Sequence, residues 1–506
     1  MAYYLGLDIG TSGTKTLLLD QQGLSIAKAT YEYPLSQPRN GWAEQDPEDW
    51  WQAVVQGIQA VFKQSGISAQ EIQSVGLTGQ MHSLVMLDKD GIPIRPAILW
   101  CDQRTGESCA RLETLIGREQ IQRITGNPPI SGFTAAKLLW VQEWEPENWR
   151  RCAKMLLAKD YIRYKLTGQF FTDVTDASGT QLMDLQRRDW SQELLEALSI
   201  PKEWMPEILE SQDLSGGVSA QASQKTGLRE GTPVAGGAAD NSAAAVGTGV
   251  VRPGGAFTTL GTSGVVYTIT DEPLVDPHGR VHTLCAPVRG KWILMSCTQA
   301  AGLSLRWFRD QLCEKEIEKG QALGMDPYQL MDALAQQVPI GAERLLYLPY
   351  LMGERSPHQD PLSRGVFFGL SSIHQKGHMI RAILEGVAFS QKECVDIFAQ
   401  LGAITGQMSL CGGGAKSPLW RTIMADVYGS QLILPGEDEG PAAGAAILAA
   451  AGERQLPVEQ VCREMLRPGK TQPFSQENHQ TYQNIYQVYK GLYPALKQGF
   501  QDQAKL

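Results

Sequence analysis

The chain has 506 residues, 42% of them hydrophobic and 20% charged, with a net charge of −9. That length calls for at least two domains, each able to bury its own core, and the acidic balance argues against nucleic acid or an anionic membrane as partner. Nine scattered cysteines without a C-x-x-C pair point to reduced thiols in the cytoplasm, not to a disulfide framework or a zinc site.

In chain order, the first pattern is YYLGLDI, then GTSG at residues 10–13, then TKTLLLD. It reads as two strands joined by a tight turn, with glycine expected to supply a positive φ. The strand begins within the first few residues, so no signal peptide is expected, and no run of 18 apolar residues offers a membrane span. DPEDWWQAVVQGIQAVF reads as a helix with Asp46 as N-cap, Pro47 as its first residue and Asp49 in its first turn. SVGLTGQMHSLVMLDKDGIPI reads as strands joined at Asp90-Gly91, and FTAAKLLWVQEW and KDYIRYKL read as helices. After the Gly- and Ala-rich PVAGGAADNSAAAVGTGVVRPGG the pattern restarts. GGAFTTLGTSGVVYTIT is a strand pair around a second GTSG at 261–264, and HTLCAPVRGKWILMSC is another that turns at Arg289-Gly290. A helix (HMIRAILEGVAFSQKECVDIF), a strand running into CGGG and an alanine-rich helix (GPAAGAAILAAAG) follow. Tyr482, Tyr486, Tyr489 and Tyr493 have the spacing of the buried face of a C-terminal helix. The restart predicts two α/β lobes of similar plan, residues 1–250 and 251–506.

Familiar nucleotide signatures fail. Gly469-Lys470-Thr471 looks like the end of a P-loop, but Glu464 stands where its first glycine belongs, and the glycines at 412–414 meet Ser417 where G-x-G-x-x-G needs a third. The seven histidines are read as holding no transition metal. The two GTSG turns offer another route, because a tight Gly/Ser/Thr turn can aim N–H groups and hydroxyls at phosphate, and two could grip a polyphosphate across a cleft. CGGGAKS lets a flat ligand approach bare backbone, or is a flexible loop. Asp240 and Asn241 stand among residues almost without side chains. Asp240 is either a helix N-cap or a general base for a substrate hydroxyl. His82, in GQMHS, is either a ligand contact or a structural hydrogen bond.

The set LGLDIGTSGTK, GWAEQDPEDWW, GLTGQMHS, RPAILWCDQR, GFTAAKLLWVQ, GGAADN, LGTSG, LPYLMGERSP, RAILEGVAF and CGGGAKSPLWRTIMADVYG resembles the FGGY carbohydrate kinases in order along nearly the whole chain. The resemblance implies two ribonuclease-H-like, actin-like ATPase lobes with an interlobe cleft, sugar mostly on the first and ATP mostly on the second. It implies ATP-dependent phosphorylation of D-xylulose at its 5-hydroxyl, with D-ribulose, L-ribulose, gluconate or glycerol as alternative acceptors. Carried over by position, Asp240 is the catalytic base and Asp8 the acid associated with Mg²⁺. Met81, His82, Asp240 and Asn241 are the sugar contacts. Thr11 and Ser12 in the first turn, Gly261 and Thr262 in the second, and Gly412, Gly413, Gly414 and Ala415 face the nucleotide. Cys101 and Gln103 depart from the residues common in such kinases. The expected partners are the sugar and ATP, with a homodimer as one allowed assembly. Asp8 has no counterpart before the second turn, where Thr259 stands.

Overall fold

The computed structural model describes residues 2–403, 405–436 and 440–506. Its first lobe is built on strand β1 (Tyr3–Ile9), which pairs antiparallel with β2 (Gly13–Asp20), itself paired with β3 (Ser25–Glu32). On its other side β1 runs parallel to β4 (Ile72–Gly79), and β5 (Leu214–Gly217), β6 (Pro233–Ala235) and the short β7 (Ala238–Ala239) complete the sheet. The second sheet repeats the plan. Strand β8 (Ala256–Thr259) pairs antiparallel with β9 (Gly264–Thr270), followed by β10 (His282–Cys285) and β11 (Trp292–Thr298). Beyond β8, β12 (Met408–Cys411) runs parallel to it, then β13 (Leu432–Leu434) and β14 (Lys470–Gln472). The expected α/β class and the two actin-like lobes are what the chain adopts.

Local chemistry sets the element ends. The Asp46 carboxylate accepts the Glu48 N–H and Pro47 opens helix α1 (Pro47–Ser65), where a proline costs no hydrogen bond. The turn at Asp90-Gly91 forms, with Gly91 at φ +76°. No strand follows it, only the isolated bridge Leu87–Pro93, because Pro93 and Pro96 cannot donate to a ladder. Lys470 and Thr471 lie in edge strand β14, so the apparent P-loop ending belongs to a sheet. The tyrosine stripe is buried as expected along α2 (Gln476–Gln503). Among the described residues no helix is long and apolar enough to cross a membrane, and all nine cysteines are free.

The alanine-rich helix α3 (Gly440–Arg454) belongs by sequence to the second half, yet it packs on the first sheet, with Ala442 through Ala451 buried. Backbone approaches backbone there. A Cβ on Gly6 would lie 2.0 Å from the Ala442 carbonyl oxygen, and one on Gly76 would lie 1.8 Å from that of Ala445. These strands must carry glycine for space, not for handedness. Gly76→Ala should therefore lower stability by about 3 kcal/mol or more, because only backbone could yield. Gly491→Ala, in the last helix with open space around it, should raise it by about 0.5–1 kcal/mol. Denaturant melts of the two variants read this directly, and equal midpoints would contradict the close-approach account.

Candidate active site

Sheet register assembles the acids. Asp8 lies opposite Thr78 of β4, and Thr78 lies opposite Ala238 of β7 on its other side. Asp240, two residues on, opens helix α4 (Asp240–Gly247) at the same sheet end. It is not the N-cap: Ala239 holds that position, and one Asp240 oxygen accepts the Asn241 backbone N–H at 2.7 Å and its side-chain Nδ2 at 2.9 Å. Burial raises the Asp240 carboxyl to about 6 against the opposing pull of those two donors. Asp8 rises to about 7, from burial first and the Asp240 charge second, with Lys15 opposing. Two carboxyls held above their usual range in one cleft suit a site that later receives a cation or gives up a proton.

The joint before Asp240 is anchored from below. Ala239 donates to Thr175 Oγ1 at 2.8 Å, and that hydroxyl donates to Asp173 at 2.6 Å. Asp173 shares the fully buried Lys159 ammonium with Asp160 and Asp176, at 2.7–2.9 Å. Arg163 adds a second cation 3.0 Å from Asp160. Three carboxyls for two cations leaves one proton favoured, and burial lifts Asp176 to about 7.

Met81 and His82 follow β4. Asn241 Nδ2 lies 4.0 Å from the Met81 sulfur, so the loop touches the helix that carries Asp240. His82 has φ +64°, and its carbonyl accepts Lys137 Nζ at 2.6 Å and Thr134 Oγ1 at 3.2 Å. Its ring stacks on Phe133 at 4.1 Å, with Nδ1 2.7 Å from the Gly179 carbonyl. Burial and the neighbouring Lys137 charge hold the imidazole neutral. The carbonyl contact then places the proton on Nδ1 and leaves Nε2 as an acceptor. The structural reading of His82 therefore holds for Nδ1. Lys137, pulled down to about 7 chiefly by burial, holds the loop through its carbonyls.

The GTSG turns differ from expectation in one respect. None of their glycines has a positive φ. They are glycines for space: a Cβ on Gly13 would meet the Tyr31 carbonyl at 2.7 Å, and one on Gly264 would meet Gln391. In the first turn Gly10 N–H donates to Gly13, Thr11 Oγ1 accepts the Trp100 indole at 3.0 Å, and Ser12 is exposed. In the second turn Thr262 is exposed, and the carbonyls of Gly261 and Thr262 accept N–H groups of Ala301, Gly302 and Leu303 at a helix start. Gly412, at φ +89°, packs against it, since its Cβ would come within 3.1 Å of the Gly261 nitrogen. Gly414 is forced by Leu260 and Trp420, while open space lies over Gly413, and Ala415 follows half-buried. The structure thus brings Asp8, Met81, His82, Asp240 and Asn241 to one sheet end, and Gly261, Thr262 and Gly412–Ala415 to the corresponding end of the other. Cys297 joins the two: its thiol feels the Asp240 charge and bonds Ser263 of the second turn.

Two histidine pairs have H-x-x-x-H spacing, His278/His282 and His374/His378. The first spans a turn and a strand, and the second begins outside its helix, so neither presents two rings on one helical face. Among the described residues no group of three or more His, Cys, Asp or Glu could hold a metal on its own. Sequence reasoning missed Thr175, Gly179, Trp100 and Arg355 as site-building residues. The last two lie in segments that already resembled kinases, whereas Gly179 carried no signal beyond lying in DASGT.

Residues 3–247 match the N-terminal domain of the FGGY family of carbohydrate kinases, and residues 256–453 match its C-terminal domain. The chain belongs to the FGGY family of carbohydrate kinases. Within the family it is 36% identical to the xylulose kinase of Bacillus subtilis over 98% of both chains. It is 32% identical to the gluconokinase of the same organism over 88% of this chain and 87% of that one. The crystal structure of xylulose kinase from Rhodospirillum rubrum superposes with a TM-score of 0.90 at 31% identity, covering 99% of this chain and 100% of that one. As an FGGY kinase the protein is a sugar kinase.

The raised carboxyls carry a stability consequence. Between about pH 4 and pH 7 the folded state holds protons on Asp8 and Asp240 that the unfolded chain has released, so these groups weaken the ligand-free fold as pH rises. Asp240→Asn should therefore raise the ligand-free melting temperature at pH 8, by about 1–3 kcal/mol in stability. The gain should vanish near pH 4, and a gain independent of pH would contradict the assignment.

Proposed function

We propose that the protein transfers the γ-phosphoryl group of ATP to the 5-hydroxyl of D-xylulose, with sugar mostly on the first lobe (residues 1–250) and nucleotide mostly on the second (residues 251–506). The observation that carries this reading is the Asp240 carboxyl, lifted to about 6 at the sheet end that also presents Met81 and His82. Asp240 takes the proton of the 5-hydroxyl as that oxygen bonds the γ-phosphorus. The bond from that phosphorus to the β–γ bridging oxygen breaks, and ADP leaves. A base with a pKa near the working pH is ionised yet still basic enough to accept the proton. Met81, the His82 Nε2 acceptor and Asn241 orient the sugar. The turn hydroxyls of Thr11, Ser12 and Thr262 and the open backbone at Gly413 face the phosphates and nucleotide, beside Gly261, Gly412, Gly414 and Ala415.

Asp8 would hold Mg²⁺ together with phosphate oxygens and water. Its carboxyl fits that duty, because burial beside Asp240 makes its charge costly until a cation arrives. Magnesium, when bound, neutralises charge on the phosphate oxygens. Asp8 with a single carboxylate neighbour suits an ion that keeps most of its ligands from substrate and solvent. These properties belong to a cytoplasmic enzyme of pentose catabolism. Gluconate is the second reading, favoured by the similarity to a gluconokinase over 88% of this chain.

ADP release from Mg-ATP, measured with D-xylulose, D-ribulose, L-ribulose, gluconate and glycerol in turn, decides the acceptor. D-xylulose should stimulate by far the most, and gluconate in first place would transfer the mechanism to the second reading. Asp240→Ala should cut kcat by at least about 10²-fold with sugar binding partly retained; near-normal turnover would sink the base assignment. In the wild-type enzyme kcat/KM should fall below an apparent pKa near 6 as Asp240 takes up its proton. A flat profile down to pH 4.5 would point to another base.

A further inference from the structure

Arg355 sits in the second lobe, and its backbone is clamped to the end of β11. One Glu354 oxygen accepts the N–H groups of Arg355 and Gln299 at 2.8 and 2.7 Å. Ser356 N–H donates to the Cys297 carbonyl at 3.2 Å, and the Ser356 hydroxyl donates to the Arg280 carbonyl at 2.8 Å. The side chain reaches over the first lobe, its guanidinium carbon 5.5 Å from the centre of the Trp100 ring. The Trp100 indole in turn donates to Thr11 of the first turn. Both His82 and His282 are pushed further towards neutrality by the Arg355 charge, which places the guanidinium among neutral rings.

What the guanidinium lacks is a hydrogen-bonded anion: the neighbouring Glu354 carboxyl feels its charge but gives Oε1 to the backbone N–H groups of Arg355 and Gln299. Arg95, Arg104, Arg163, Arg188 and Arg381 each pair with a carboxylate, whereas the half-buried Arg355 does not. Among the described residues no side chain or carbonyl accepts from the Arg355 guanidinium, and no ion pair joins it to Asp8 or Asp240. The five donors of this half-buried guanidinium are therefore free to meet the oxygens of a ligand. Cys297 lies between: its thiol feels both Arg355 and Asp240.

We infer that Arg355 is a substrate-binding residue, whose planar fork donates to the C1 hydroxyl and C2 carbonyl oxygens of the ketose bound with its 5-hydroxyl at Asp240. This rests on the proposed sugar-kinase reading of the site. A five-carbon chain anchored at Asp240 by one end must place the other elsewhere in the cleft, and Arg355 is the donor there that protein groups leave unsatisfied. His82 Nε2 supplies the acceptor beside it, so donor and acceptor come from different lobes and the sugar itself ties the lobes together. A fork suits two adjacent oxygens better than the single ammonium of lysine.

The test compares wild type, Arg355→Met and Arg355→Lys on D-xylulose and 1-deoxy-D-xylulose, or on whichever acceptor of the panel the wild type prefers and its C1-deoxygenated analogue. Sugar-independent ADP release, the KM for ATP and the melting temperature are measured alongside. Wild-type use of D-xylulose tests the functional reading, and the comparison between variants tests Arg355, so the two can fail separately. Arg355→Met should lower kcat/KM for the full sugar by about 10- to 100-fold, mostly through KM, and Arg355→Lys should lower it less. The KM for ATP and the melting temperature should stay within about twofold and a degree or two respectively. The preference for the full over the deoxygenated sugar should collapse in Arg355→Met. An unchanged preference, or a loss that falls on the KM for ATP instead, would overturn the proposal.

Discussion

The backbone-to-backbone seating of helix α3 on the first sheet is the constraint from which the site hangs. Its residues Ala442 and Ala445 press on Gly6 of β1 and Gly76 of β4, and its Gly444 lies against Ala243 of α4. Those three elements carry Asp8, the Met81–His82 loop and Asp240 respectively. One rigid helix from late in the chain therefore fixes the spacing of groups that come from three separate stretches early in it. Small residues allow this, because only they let helix and strand approach without intervening side chains.

Electrostatics follow from that seating. Asp8 and Asp240 are held close and half-hidden, so each resists ionising, and the fold bears that cost in the absence of ligands. The cost is tolerable because the surroundings are otherwise saturated. Lys159 answers three carboxyls beneath Asp240, Lys137 holds the His82 carbonyl, and the His82 ring is pinned by Gly179. The less fully answered groups are the two acids and the Arg355 guanidinium, none of which forms a salt bridge among the described residues. A sugar kinase needs such an imbalance, since phosphates, a cation and an alkoxide in formation must find partners that the resting protein has not already spent.

The two lobes show how one plan diverged. Asp8 is paired across the parallel register with Thr78, and Thr259 with Cys411, so Gly79–His82 in the first lobe occupies the place of Gly412–Ala415 in the second. One lobe filled these positions with Gln80, Met81 and His82, and the other reduced them to Gly413, Gly414 and Ala415. Thr259, in the place of Asp8, uses its hydroxyl to accept the Val265 N–H across the hairpin and so supports its turn.

Read from sequence, the chain already specified the strand–GTSG–strand units, the capped helix after Asp46, the tyrosine face of the last helix and an Asp at 240 with no local purpose. Each of these is a short-range matter of period, turn chemistry or an isolated polar residue. The reason for the turn glycines was legible only as handedness, and the structure assigns it to crowding by Tyr31 and Gln391, which sequence separation conceals. The strand expected after Asp90-Gly91 was overridden by prolines whose effect on pairing needs the partner strand to be known. Only the tertiary structure decided that Ala239 rests on Thr175, that Gly179 fixes the His82 tautomer and that Arg355 reaches Trp100 from the other lobe. Those contacts join residues far apart in the chain, and no local pattern encodes which distant backbone atom a side chain will meet.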